Sequence, residues 1–217
     1  MRVAIAGGHG KIALRLTRLL ADRGDEVIGI VRNPDHVADV QAAGGQAAVV
    51  DLEAATTADV AGVVSGADAV VFAAGAGPGS GAARKETVDR AAAVLLADAA
   101  ESAGVRRYVQ VSSIGLDRAD DPDLDEVFRG YLRAKAAADE DLMARDLEWT
   151  VLRPGGLTDD PGVGTVTLDE HVRRGSVTRD DVATVLVGLL DRPATAGKVL
   201  ELVGGDEAID RALDRLA

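Results

Sequence analysis

Apolar residues fall along this chain in two rhythms. Short, nearly unbroken runs rich in Val, Ile and Ala sit at 2–6, 26–31, 46–50, 69–73, 107–112 and 148–152. Between and after them lie longer stretches in which apolar residues recur every three to four positions, at 11–23, 35–42, 57–64, 83–103, 130–145, 179–190 and 206–216. The first rhythm predicts strands and the second predicts helices. A run without polar alternation predicts a strand covered on both faces. Strands and helices that alternate through short connections predict a parallel sheet with helices on each side, a Rossmann-type doubly wound α/β fold. A last short strand is expected at 199–203. There are no internal repeats, and no Pro-, Gly- or Ser-rich linker divides the 217 residues. A single domain over 1–217 is therefore predicted, with a small substrate-side region from about 154 to 217.

The first strand runs directly into glycines: Arg2-Val-Ala-Ile-Ala-Gly7-Gly8-His9-Gly10-Lys11-Ile12-Ala13. Glycines let the chain turn sharply and let a pyrophosphate approach the backbone. The exposed N–H groups of the following helix then face the anion. Strand before and helix after are the context such a loop needs to bind a dinucleotide. The second strand ends in Arg32, roughly 20 residues past the loop, where a Rossmann fold meets the adenosine ribose. A carboxylate there would bind a free 2′-hydroxyl, whereas Arg32 suits the 2′-phosphate of NADP. The plainer account of the same residues is a glycine turn and a solvated arginine.

Composition narrows the field. The chain has no cysteine, which excludes disulfides, thiol nucleophiles and thiolate metal sites. Three scattered histidines make no zinc motif, so no metal is expected. The net charge of −12 argues against nucleic acid and anionic membrane surfaces as partners. No apolar run is long enough to span a membrane, and the N-terminus does not read as a signal peptide. A cytoplasmic protein, monomeric or a small homo-oligomer, acting on a small-molecule substrate is the expectation. His9, Lys11, Arg15, Arg18 and Arg32 concentrate positive charge near the glycine loop, although Arg15 and Arg18 suit an ordinary solvated face. Two loops following predicted strands, a glycine-rich one at 75–81 and an acidic one at 117–125, lie where ligands bind in open α/β sheets.

Tyr131-Leu-Arg-Ala-Lys135 places two side chains on one helical face through i, i+4 spacing. An ammonium near a phenol stabilises phenolate and lowers its pKa, so the tyrosine can act as acid or base toward a carbonyl or alcohol. On its own this spacing equally suits a surface helix. Ser112 and Ser113 end a central strand, where a hydroxyl could hydrogen-bond a substrate oxygen or cap the strand.

With the cofactor loop, these residues form a set that resembles the short-chain dehydrogenase/reductase superfamily. The closer likeness is to its atypical NAD(P)H-binding branch, the NmrA-like and epimerase-reductase proteins. It runs nearly end to end, through Ala6-Gly-Gly-His-Gly-Lys-Ile-Ala13, Val31-Arg-Asn-Pro34, Val50-Asp-Leu-Glu53, Val70-Val-Phe-Ala-Ala-Gly75, Thr87-Val-Asp89, Val111-Ser-Ser-Ile-Gly115, Tyr131-x-x-x-Lys135, Leu152-Arg-Pro-Gly-Gly-Leu-Thr-Asp-Asp160 and Thr178-Arg-Asp-Asp-Val-Ala183. The resemblance implies that Gly7, Gly8, His9, Gly10, Lys11 and Ile12 cradle the pyrophosphate. By the same likeness Arg32 and Asn33 hold the 2′-phosphate, Asp51 and Leu52 contact adenine, and Ala73, Ala74 and Gly75 line the adenosine side. Lys135 with the Pro154-Gly155 turn touches the nicotinamide half, and Tyr131 and Ser113 face the substrate. Asp89 stands where the wider superfamily commonly has asparagine, so it either orients Lys135 or packs between helices.

Three functions are compatible with these residues. One is an NADPH-dependent reductase of a small carbonyl, quinone or flavin-like acceptor, with NADP(H) preferred over NAD(H). Another is a non-catalytic sensor of the NADP redox state. A third is an isomerase or epimerase that returns its cofactor unchanged, although only about 60 residues follow Arg153, few for a sugar-nucleotide domain.

Overall fold

The computed structural model of this chain describes residues 1–77, 79–81 and 84–216. Its first six strands are β1 (Arg2–Ala6), β2 (Glu26–Val31), β3 (Gln46–Val49), β4 (Ala69–Phe72), β5 (Arg107–Val111) and β6 (Glu148–Pro154). After them come β7 (Gly156–Thr158), β8 (Thr165–Asp169), β9 (Ser176–Thr178), β10 (Lys198–Gly204) and β11 (Glu207–Ala208). Nine of these form one sheet among the described residues, in the order β11-β8-β10-β6-β5-β4-β1-β2-β3, and β7 pairs with β9 separately. From β3 to β10 all pairings are parallel, and β8 runs antiparallel to both β10 and β11. This is the doubly wound α/β fold expected from the sequence. Strand order reverses on either side of β1, and ligands in such sheets bind beyond the strand ends at that point.

The helices are α1 (Lys11–Asp22), α2 (Val37–Ala42), α3 (Thr57–Val64), α4 (Ala92–Ser102), α5 (Glu126–Met143), α6 (Arg179–Leu190) and α7 (Ile209–Asp214). Side chains alternate along β1 between two cores. Val3 and Ile5 pack with residues of α1, α6 and α7, while Ala4 and Ala6 pack with α3, α4 and α5. Coverage on both faces is why β4 and β5 are buried at every position. In α1 the buried residues Ile12, Ala13, Leu16, Thr17 and Leu20 make one stripe. At the start of α3, Thr56 and Asp59 close a reciprocal capping box.

Four expectations need correction. Helix α5 begins at Glu126, not 130, because Asp125 caps it by accepting from the Phe128 N–H at 2.9 Å. Its first turn leaves Val127 and Phe128 exposed, so no buried stripe announced it. The helix expected over 83–103 starts with a π-helical turn, Lys85–Ala91, before α4, and Ala83 lies outside the described residues. The stretch 206–216 opens with β11 rather than with helix, and Ala217 at the end of the predicted domain lies outside the described residues. Strands β7, β8 and β9 were not foreseen, since they are short or, like β8, carry exposed polar residues between buried ones.

One buried cation ties the later elements to β5. Arg107 is 6% exposed. Its Nη1 donates to the Glu148 carbonyl at 2.7 Å and the Thr150 hydroxyl at 2.8 Å. Its Nη2 donates to the Leu189 carbonyl at 2.7 Å and the Thr195 hydroxyl at 3.0 Å. Burial lowers its pKa to about 10.

Candidate functional site

The glycine loop is seated by two close approaches. Gly7 adopts φ +78°, and a Cβ there would lie 2.6 Å from the Ala74 Cα. A Cβ on Gly8 would lie 2.6 Å from the Gly29 Cα. Only glycine lets the loop rest this closely on β2 and on the backbone just past β4. Gly10 then precedes α1 without any side-chain cap, so the positive end of a 12-residue helix is left for another acceptor. Beside it opens a cavity of about 280 Å³, lined by Gly7, His9, Gly10, Arg32, Asp51, Leu52, Ala73, Ala74 and Gly75 from the sequence-based set. Gly8 and Asn33 are not in its wall. Asn33 instead caps a short 3₁₀ turn by accepting from the Asp35 N–H at 3.1 Å.

The structure adds His36, Glu53 and Arg84 to this cavity. Glu53 Oε2 accepts from Arg32 Nη1 at 2.7 Å and from Arg84 Nη2 at 2.9 Å. Its Oε1 accepts from the Thr87 hydroxyl at 2.6 Å. The Thr87 hydrogen bond, assisted by the two guanidiniums, holds the Glu53 carboxyl below the usual glutamate range. Arg84 follows a glycine-rich connection with no periodicity, so nothing in the pattern pointed to it. His36 stacks on His9 with ring centroids 3.6 Å apart, and His9 Nε2 lies 2.7 Å from Asp39 Oδ2.

A second cavity, of about 740 Å³, shares Gly10, Ala73, Ala74 and Gly75 with the first and continues to Lys11, Ile12, Asp89, Tyr131 and Lys135. Lys135 is buried, and its Nζ donates to the Val111 carbonyl at 3.1 Å and the Ala74 carbonyl at 3.4 Å. Asp89 Oδ1 lies 3.5 Å from the same Nζ. Burial lowers the Lys135 pKa, and Asp89 opposes that. The Tyr131 phenol is pushed up to about 12 by burial, with the Ser113 hydroxyl working against the rise. A phenol pKa lowered by Lys135, expected from the spacing, is thus replaced by a raised one. The ammonium of Lys135 is turned to carbonyls and Asp89, while Lys85 is the amine over the Tyr131 ring, 5.1 Å from its centroid.

Ser112, not Ser113, lines the second cavity. Ser113 Oγ donates to the Ile114 carbonyl at 3.2 Å. Ser112 Oγ donates at 2.9 Å to Asp139, which also accepts from Gln110 at 2.7 Å and from Arg153 Nε at 3.0 Å. Burial raises the pKa of Asp139 even against these partners. The spacing Tyr131, Lys135, Asp139 continues the i, i+4 series on α5 and was the available signal for this residue. Pro154 and Gly155 stand outside both walls, bonded through their backbones to Ile114 and Leu202. Lys11 Nζ is paired with Asp159 at 2.5 Å, and Arg179 reaches the same carboxylate at 2.9 Å. Arg15, expected on a solvated face, is half-buried and pairs with Asp180 at 2.5 Å.

These features fit a dinucleotide. A glycine-walled waist joins two cavities, an uncapped helix end faces the loop, and two arginines meet at the first cavity. The buried Asp89 Oδ1 finds no hydrogen-bond partner among the described residues. No group of three or more potential metal ligands is gathered among those residues, and no helix is long and apolar enough to cross a membrane.

Fold and site together define a nicotinamide-dinucleotide-binding Rossmann protein. Residues 7–193 match the NAD(P)H-binding family, and the chain belongs to it. Over its whole length it is 35% identical to the uncharacterised sugar epimerase YhfK of Bacillus subtilis (strain 168), covering 100% of both chains. Among solved structures it is similar to a provisionally named NAD-dependent epimerase/dehydratase from Bacillus halodurans, at 34% identity and TM-score 0.91, covering 99% of each chain. It is also similar to ChuY, an anaerobilin reductase from Escherichia coli O157:H7, at 26% identity and TM-score 0.79, covering 95% of this chain and 98% of that one.

Proposed function

We propose that this protein is an NADP(H)-dependent reductase of the atypical short-chain dehydrogenase/reductase type, acting on a small carbonyl, quinone or flavin-like acceptor. One observation carries the reading. The glycine-loop cavity and the cavity holding Tyr131 and Lys135 share a single wall, Gly10 with Ala73, Ala74 and Gly75. The cofactor supplies hydride when bound. The protein's own groups bind and orient. The amides at the start of α1 and the Lys11 ammonium attract the pyrophosphate charge. Arg32 and Arg84 take the 2′-phosphate, and Asp51 and Leu52 meet adenine. Lys135, held by Asp89, braces the nicotinamide side. Tyr131, protonated at neutral pH like any phenol, gives its proton to the acceptor oxygen as a general acid. The reductase name of ChuY supports this reading, and the epimerase name of YhfK supports the isomerase alternative.

The engagement of Lys135 by Asp89 rather than by the phenol favours a second reading, a non-catalytic sensor of the NADP redox state. Oxidation of NADPH against a panel of quinones, flavins and aldehydes decides between them. On the reductase reading, Tyr131→Phe keeps NADPH affinity and loses about 10²–10⁴ in turnover of a carbonyl acceptor. Turnover at the parent rate in that variant would remove Tyr131 from the chemistry. Tight NADPH binding with no oxidation against any acceptor would favour the sensor.

A further inference from the structure

We infer that the acceptor of this site is a planar conjugated molecule bearing an anionic group, carboxylate or phosphate, and that Lys85 recognises that anion. The inference rests on the reductase reading for the site and extends it to a substrate class. Lys85 lines the second cavity and is 9% exposed. Its ammonium makes one hydrogen bond, to the Gly77 carbonyl at 2.9 Å, and pairs with no carboxylate among the described residues. An ammonium has three donors, and a buried charge is costly unless paired.

The other charged side chains of this cavity each have a partner among the described residues, although Asp89 Oδ1 meets only the Lys135 ammonium at 3.5 Å and accepts no hydrogen bond. Lys11 and Arg179 share Asp159. Lys135 faces Asp89 and two carbonyls. Asp89 Oδ2 accepts from the Ala76 N–H at 3.2 Å, and Asp125 caps α5. Among the described residues Lys85 is the cation there with donors to spare. The π-helical turn Lys85–Ala91 carries Lys85 and Asp89 into the cavity together, and such turns recur at functional sites.

Shape comes from the aromatic side of the cavity, next to Lys85. Phe128 and Tyr131 stack with centroids 5.8 Å apart and 26° between their planes. Val127, Phe128 and Leu157 are 43%, 41% and 38% exposed, and all three line this cavity. An aromatic and apolar wall with a buried ammonium beside it suits a conjugated molecule with one negative group. Because that ammonium lies over the Tyr131 ring, the bound anion sits next to the phenol that the reductase reading makes the proton donor.

The test is equilibrium binding to protein saturated with NADP⁺, so that no turnover intervenes. Two matched pairs are titrated: anthraquinone-2-carboxylate against its neutral carboxamide, and FMN against riboflavin. The charged member of at least one pair should bind about tenfold to a hundredfold more tightly, the worth of a charge-assisted hydrogen bond. The pair that responds separates carboxylate from phosphate. Lys85→Met should bring that ratio to within about threefold of unity, and Lys85→Arg should retain most of it. Lys85→Gln, which can still donate to the Gly77 carbonyl, answers the same question if circular dichroism shows Lys85→Met misfolded. The inference is overturned if the parent shows no charge preference or binds neither pair. It is also overturned if the preference survives the loss of the ammonium, or if both members of a pair weaken alike. A charge preference that depends on Lys85, found in a protein that oxidises no NADPH, keeps the anion site and removes the reductase reading.

Discussion

Gly7→Ala is expected to destabilise the fold by about 2–5 kcal/mol, the sum of two effects. A side chain at φ +78° costs about 1–2 kcal/mol. The new Cβ would also lie 2.6 Å from the Ala74 Cα and 2.8 Å from the Ala74 N. Those are backbone atoms just past β4 and cannot swing aside, and overpacking of this kind costs about 1–3 kcal/mol. For a domain of this size each kcal/mol moves the melting temperature by roughly 2–4 °C, so a fall of about 4–20 °C follows. Gly10→Ala is the matched control. Its φ of −61° and ψ of 149° are open to alanine, and the nearest atom to a Cβ is the Gly7 carbonyl oxygen at 3.1 Å. This variant should melt within about 4 °C of the parent. It should nevertheless bind NADPH more weakly, because its methyl stands at the uncapped start of α1. Melts followed by circular dichroism without cofactor, alongside NADPH titration, measure both. A Gly7→Ala protein that melts with the parent, or a Gly10→Ala protein that melts as low as Gly7→Ala, would refute the reasoning.

Cofactor choice can be tested at the carboxylate that bridges the two arginines. Arg32→Ala should lower NADPH affinity about tenfold or more while changing NADH affinity little. Glu53→Gln, which frees Arg32 and Arg84 from a competing carboxylate, should raise the NADPH-to-NADH affinity ratio; equal changes for both cofactors would count against a 2′-phosphate seat there. The two tyrosines are expected to stay protonated in the folded protein past pH 10, since burial raises Tyr108 and pushes Tyr131 to about 12. A raised folded pKa means stability that is complete below the unfolded value of about 10 and is lost as pH rises toward about 12. Phenolate absorption should therefore appear together with unfolding, and a tyrosine that ionises in the folded state below pH 10 would show an activated phenol instead.

The fold was legible because its central strands are buried on both faces. Unbroken runs such as Ala69–Phe72 have no other simple reading, and the ends of β1, β2, α3 and α6 fall where pattern and caps put them. The glycine loop was legible for a related reason, since backbone that must pass within contact distance of Ala74 and Gly29 leaves only one residue type. What escaped was set by tertiary position. Nothing local distinguishes Ser112 from Ser113, and it is the distant Asp139 carboxylate that holds the hydroxyl of Ser112, the serine that lines the cavity. Lys85 and Arg84 reach the site from a π-helical turn and the connection before it, where no period exists to read. The spacing of Tyr131 and Lys135 was read correctly as one face of a helix, but the sign of the effect on the phenol was not. Asp89 and two carbonyls, all distant in sequence, claim the ammonium first.

Arg107 gives the fold a direction in time. Every acceptor of its guanidinium comes from residues synthesised after it, at 148, 150, 189 and 195. A nascent chain that has made β5 and β6 but neither α6 nor the turn at Pro193–Thr195 holds a cation for which half the partners do not yet exist. Leaving a buried charge uncompensated is among the costlier defects a core can carry. The sheet up to β6 can therefore collapse early, but its C-terminal side cannot close over Arg107 until the last strands and α6 have arrived. Chains cut short before Thr195 should behave as unfinished molecules, prone to the associations of partly folded intermediates, even with the whole dinucleotide loop already present.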